Sequence, residues 1–192
     1  MKKTIGLFLA GALTLAMTAC SGATPAATTS GAAGTGKKAL TDIVVGFAQV
    51  GAESGWRTAN TKDIQDSFKT AGIQLKFSDA QQKQENQIKA IRSYIQQQVD
   101  YIAFSPVVQT GWDAVLGEAK AAGIPVLLTD RAVDSKDASL YVTFLGSDFV
   151  LEGKKAGEWL VEQYKDKTDP VSIVQLEGTT GSAPAIDRAT GF

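Results

Sequence analysis

Residues 43–57 read IVVGFAQVGAESGWR: a β-branched apolar run, a loop of glycine, serine and glutamate, then a Trp-Arg pair. A helical pattern follows at once. WRTANTKDIQDSFKTAG (56–72) carries apolar and small residues at helical spacing and a glycine where a helix ends. The same alternation then repeats. IQLKFSD (73–79) alternates as a half-buried strand does, and QENQIKAIRSYIQQQ (84–98) sets Ile88, Ile91 and Ile95 on one helical face that Val99 continues. YIAFSP (101–106) reads as a strand, GWDAVLGEAKAAG (111–123) as a helix, and IPVLLTDR (124–131) and LYVTFLG (140–146) as further strands. DFVLEGKKAGEWLVEQYK (148–165) is a long amphipathic helix, and VSIVQLEG (171–178) is expected to start a new strand. Alternation of this kind builds a doubly wound α/β sheet, mostly parallel, with helices on both faces. The strand-free stretch between Gly146 and Pro170 is long for this spacing and marks a crossing into a second domain.

Composition narrows the chemistry. The 192 residues are 44% apolar, enough for roughly one ordinary domain. Nineteen Lys and Arg nearly balance twenty Asp and Glu without a basic stripe, so nucleic acid is not an implied partner. The chain has no histidine, which removes His-containing triads, the usual neutral-pH base and most zinc sites. Neither a metal nor a cofactor is called for.

The single cysteine, Cys20, cannot form a disulfide within the chain. Lys2 and Lys3 precede the apolar run IGLFLAGALTLAM, and small residues lead to Cys20, which gives residues 1–20 the shape of a bacterial lipoprotein signal peptide. Cys20 would then be the lipidated first residue of a membrane-anchored extracytoplasmic protein; an ordinary secretory signal with an incidental cysteine is the alternative. Residues 21–39, small and polar with SGATPAATTSGAAGTGKK at their core, read as a flexible tether.

In open α/β sheets, ligands bind beyond the carboxyl ends of the strands. Those ends collect Glu53, Trp56 and Arg57 after the first strand, Asp79 after the second, Ser105 after the third, and Asp130 and Arg131 after the fourth. The first loop fits neither GxxxxGK[ST] nor GxGxxG, so it is a poor phosphate cradle. It suits a sugar, whose C–H face an indole covers while guanidinium and carboxylate groups bond its hydroxyls. Each residue has a plainer reading. Trp56 packs on the core, Arg57 is a solvated surface arginine, Asp130-Arg131 is a helix cap with a surface partner, and Glu53 and Asp79 are capping carboxylates. Trp112 and Trp159 lie inside helical patterns and are expected in the core. The QQKQENQ and QQQ stretches read as a helix start and a solvated face.

GFAQVGAESGWR, DAQQKQENQIKAIRSYI, VDYIAFSPVVQTGWDAVLGEAKAAGIPVLLTDR, LEGKKAGEWLV and LEGTTGSAPAIDRATGF together resemble the sugar-binding proteins of bacterial ABC importers, in particular their galactofuranose-binding members. The likeness runs from about Val44 to Phe192. It implies the type I periplasmic-binding-protein fold, in which two Rossmann-like lobes joined by a hinge close on one sugar that is passed to a membrane permease without chemical change. A first lobe over 40–147 and a crossover with the start of a second lobe over 148–192 are expected. Family members run well beyond 192 residues, which implies that most of the second lobe lies outside this chain. On matching positions Glu53, Trp56, Arg57, Asp130 and Arg131 would form the first lobe's wall, with Ser105 a lesser candidate and Arg188 reaching across from the second lobe. The implied partners are a monosaccharide, galactofuranose foremost, the permease, and a lipid anchor at Cys20, on a monomeric protein. A glycosidase using two of Glu53, Asp79 and Asp130, a regulator's sensor domain and a chemoreceptor ligand carrier are the other functions open to such a sequence.

Overall fold

The computed structural model describes residues 38–192. The signal segment, Cys20 and the tether up to residue 37 lie outside the described residues. Ten regular elements follow in order: β1 (Val44–Gln49), α1 (Gly55–Ala71), β2 (Gln74–Asp79), α2 (Gln84–Gln96), β3 (Tyr101–Phe104), α3 (Asp113–Ala121), β4 (Val126–Asp130), β5 (Thr143–Gly146), α4 (Phe149–Tyr164) and α5 (Ala183–Gly191).

The five strands form one parallel sheet in the order β2-β1-β3-β4-β5. The chain runs outward from β1 to β2, then returns to the other side of β1 with β3. That reversal opens a crevice at the carboxyl ends of β1 and β3. Because successive strand residues face opposite sides, β1 sends Val45 and Phe47 to one face and Ala48 to the other. Ile64 and Phe68 of α1 cover the first face. The second is the main core, where Ile91 and Tyr94 of α2 and Val115 and Leu116 of α3 pack on Ile102, Phe104, Val126 and Leu128. Helix α1 ends as expected, on Gly72 in the left-handed conformation (φ 71°), which closes the turn into β2.

The α2–sheet contact is close enough to require a glycine. A β-carbon at Gly46 would collide with the Tyr94 ring, whose hydroxyl donates to the Phe47 carbonyl at 2.9 Å and lies 2.7 Å from Ser78 Oγ. Gly46→Ala should therefore destabilise the fold by roughly 1–3 kcal/mol through overpacking. Urea unfolding measures this, and an unchanged midpoint would contradict the packing described.

Asp100 ties the start of β1 to the start of β3. Its carboxylate pairs with Lys38 and accepts from the Val44 amide at 2.9 Å, while its own amide donates to the Val44 carbonyl at 2.9 Å. The Lys38 ammonium first, and the Val44 N–H second, hold the Asp100 carboxyl below its ordinary value of 3.8. A depressed carboxyl pKa stabilises the fold above the unfolded-state value and loses that contribution as pH falls through the folded one. Lys38 is largely exposed, so the contribution is under about 1 kcal/mol. Asp100→Asn should make the melting temperature fall less steeply as the pH drops below 3.8. An identical acid slope in both proteins would remove Asp100 from the acid sensitivity.

Two expectations fail here. Residues 171–178 form no strand, and Val174 and Leu176 are 86% and 94% exposed. A strand is held by a ladder partner, and none lies beside this segment among the described residues. Trp159, expected in the core, is 62% exposed. Helix α4 packs chiefly on α5, with Gly153 against the Arg188 backbone and Gly191 against the Val150 backbone, and its Trp159 side stays open. Trp112 is in the core as expected, at the N-cap position just before α3.

Candidate functional site

The crevice at the sheet's reversal is a cleft of about 710 Å³, within the range of small-molecule sites. One side comes from the loop after β1, the first turn of α1 and the end of β4; the other comes from residues 175–179 and the first turns of α4 and α5.

Ser54 caps α1 by accepting from the Arg57 amide at 3.1 Å, which fixes the first helical turn. Arg57 then points inward and is 2% exposed, whereas its neighbour Trp56 is 58% exposed on the cleft wall. The Arg57 guanidinium lies 4.8 Å from the Trp56 ring centre, a cation–π contact that holds the indole upright. Neither plainer reading survives: Trp56 is not core and Arg57 is not a surface residue.

Arg57 joins two carboxylates from distant parts of the chain. Its Nε donates to Glu53 Oε1 at 3.0 Å, its Nη2 to Asp130 Oδ2 at 2.5 Å and its Nη1 to Asn60 Oδ1 at 3.4 Å. Arg131, 6% exposed, donates from Nη2 to the same Glu53 oxygen at 3.2 Å and from Nη1 to the Val107 carbonyl at 3.3 Å. Burial lowers the Arg131 pKa first, and the nearby Arg57 and the more distant Arg188 add to this, while Glu53 and Asp130 oppose them. Adjacent acidic and basic residues reach the cleft together because Asp130 has φ 62° and the Arg131 amide donates back to the Thr129 carbonyl at 2.6 Å. This tight three-residue turn is strained for a residue with a side chain, and such strain collects at binding sites. No helix follows it, so Asp130 is no helix cap.

Ser105 is fully buried behind the wall, with its hydroxyl 3.3 Å from Asp130 Oδ2. Asp79 stays outside the cleft, where its carboxylate accepts from the Gln81 amide at 2.7 Å and shapes the turn after β2. From the facing side, Arg188 lines the cleft, lies 4.6 Å over the Phe149 ring and donates to Glu152 Oε2 at 2.8 Å.

Two polar atoms in this cluster have no partner: Glu53 Oε2 and Arg131 Nε, both shielded from solvent. A buried acceptor and a buried donor left open cost free energy until something fills them. Among the described residues, no three His, Cys, Asp or Glu converge to hold a metal ion.

Sequence reading missed several supports. Gln49 is fully buried, bonding Asn60 and Thr61 at 3.0 Å each. Gln87, assigned only to a helix start, is also fully buried. It lies one turn before Ile91 on the apolar stripe of α2, and a polar residue on that stripe was the available signal.

A five-stranded parallel sheet with this reversal, carrying a paired Arg-carboxylate cluster at its crevice, is one lobe of the type I periplasmic-binding-protein architecture. The chain belongs to the periplasmic binding protein domain family, which it matches over residues 45–192. It is 54% identical over 150 residues to the galactofuranose-binding protein YtfQ of Escherichia coli, covering 78% of this chain and 46% of that protein. With the fructose import binding protein FruE of Bifidobacterium longum it shares 36% identity over 195 residues, covering 100% of this chain and 56% of that one. A solved structure from Mycobacterium smegmatis in complex with β-D-fucofuranose superposes with a TM-score of 0.74 at 66% identity, over 78% of this chain and 49% of that one. The chain spans about half the length of the curated relatives it matches. These relatives are binding proteins by name.

Proposed function

We propose that this protein is the solute-binding component of a bacterial ABC sugar importer and takes a neutral monosaccharide in its furanose form, galactofuranose foremost. One observation carries the reading: the exposed Trp56 indole stands on the cleft wall beside the Glu53 and Asp130 carboxylates, whose side chains are 14% and 22% exposed, and the Arg131 guanidinium. Sugar hydroxyls can donate to these carboxylates and accept from the guanidinium, while Trp56 covers the C–H face of the ring. The carboxylates on this wall disfavour an anionic ligand such as a uronate. A galactofuranose-binding relative and a fucofuranose complex support the furanose form.

In this reading Glu53, Trp56, Arg57, Asp130 and Arg131 line one wall and Ser105 steadies Asp130. Arg188 contributes from a second lobe that begins near residue 148, and closure of the lobes presents the sugar to the permease. The protein acts outside the cytoplasm as a monomer, anchored by lipid on Cys20 after removal of residues 1–20 and tethered by residues 21–39. It performs no chemistry. Arg57 occupies the space between Glu53 and Asp130, where a glycosidase would admit the bond to be cut.

A thermal-shift screen of the full-length protein tests this. D-galactose, D-fucose and L-arabinose, which hold a furanose form in solution, should raise the melting temperature, and methyl pyranosides, locked in the six-membered ring, should not. Stabilisation by the locked pyranosides alone would overturn the furanose assignment, and no response to any sugar would overturn the function. Trp56→Ala should weaken D-fucose binding about tenfold in calorimetry, the value of one aromatic contact. Unchanged affinity would take the indole out of the site.

A further inference from the structure

The QQKQENQ motif contributes a side chain that the binding wall does not use directly. Gln87 is fully buried, and its carboxamide is saturated by backbone alone. Nε2 donates to the Ala48 carbonyl at 3.2 Å and the Ser105 carbonyl at 2.6 Å, and Oε1 accepts from the Val107 amide at 2.9 Å. One side chain from α2 thus bridges the end of β1 to the segment leaving β3.

That segment supports the far side of the cluster. The Val107 carbonyl accepts from Arg131 Nη1, and the Ser105 hydroxyl meets Asp130 Oδ2. Both partners sit on the strained turn at the end of β4. Strands β1 and β4 do not touch, since β3 lies between them, so the backbone register of the Glu53 loop against the Asp130-Arg131 turn runs through β3, and the Arg57–Asp130 and Arg131–Glu53 bonds form across that spacing. We propose that Gln87 is a positioning residue for the ligand cleft: its carboxamide clamps residues 105–107 and thereby sets where Arg131 and Asp130 stand relative to Glu53. The effect on ligand rests on the sugar-binding reading; the effect on Arg131 does not.

The substitution Gln87→Met keeps the volume and removes every bond. Gln87→Glu keeps an acceptor for the Val107 amide but puts a second acceptor against the Ala48 and Ser105 carbonyls. In the full-length protein both variants should bind D-fucose roughly tenfold to a hundredfold more weakly than the natural protein, as expected when a supporting shell loosens a first contact. Ile91→Val trims the same helix face without touching the clamp, and it should leave affinity unchanged. A double-substitution cycle supplies the specific readout. If Gln87 acts through Arg131, Gln87→Met should cost little further affinity in an Arg131→Lys background, whereas additive losses would overturn the proposal.

A ligand-free measurement separates this idea from the sugar reading. The Arg131 Nε–H resonance, identified by its loss in Arg131→Lys, should move in Gln87→Met or in Gln87→Glu, whichever folds. A resonance left in place would overturn the positioning role whether or not any sugar binds. Failure of the natural protein to bind any sugar would instead overturn the function, with the resonance still deciding the role of Gln87.

Discussion

Arg57→Ala should cost about 3–5 kcal/mol of folding stability and most of the ligand affinity, the largest combined effect expected for any substitution in the cleft. The reason is geometric. Arg57 is 2% exposed and, among the described residues, is the only side chain hydrogen-bonded to both Glu53 and Asp130. Without it two carboxylates face each other across a partly dry cleft, and the Trp56 indole loses the cation beneath it. Arg131 cannot take over, because its Nη1 is committed to the Val107 carbonyl and its Nε lies 3.8 Å from Asp130. Arg57→Lys should fall between the two proteins, since an ammonium keeps the charge but cannot reach both carboxylates as a planar fork does. Urea unfolding and D-fucose calorimetry on the full-length protein give the two numbers. A loss below about 1 kcal/mol would mean that water enters the cluster freely and that the pairing is worth no more than a surface ion pair.

Trp112→Ala should be the most damaging change outside the cleft, at about 3–5 kcal/mol. Its side chain is 1% exposed, packs at 4.9 Å and 53° on Phe104, and donates from Nε1 to the Val108 carbonyl at 2.8 Å. Truncation empties the centre of the main core and leaves that carbonyl short of a partner. The Val108 loop is also where Gln109 meets residues 181 and 187, donating to the Gly181 carbonyl at 2.8 Å and to Asp187 Oδ1 at 3.1 Å. Trp112→Phe should recover most of the packing while losing the hydrogen bond, leaving a deficit of about 1–2 kcal/mol. Affinity per folded molecule should change far less than stability, since Trp112 does not line the cleft. Equal losses in the Ala and Phe variants would show that the hydrogen bond, and not the ring, is what matters.

How the site emerged differs from residue to residue. Glu53, Trp56, Arg57, Asp130 and Arg131 were legible because each follows a strand, and a parallel sheet brings strand ends to one edge. Gln87 and Gln49 were not, because polarity alone places a glutamine on the surface and only a neighbouring carbonyl or amide can hold it inside. The strand expected at 171–178 misread an apolar run as sufficient, although an extended segment needs a ladder partner to become a strand. Trp159 erred in the same direction: helical spacing identifies a face, and what covers that face lies elsewhere in the chain.

Up to residue 165 the sequence by itself determined the order of strands and helices, the parallel sheet and the edge at which its polar loop residues gather, because periodicity and turn residues are local properties of the chain. Which polar groups become partners was decided only by the tertiary structure. Arg57 and Asp130 are 73 residues apart, and no glycine marks the left-handed turn at Asp130. Burial then converts those long-range pairings into strong ones, and it leaves Glu53 Oε2 and Arg131 Nε open in the same cluster.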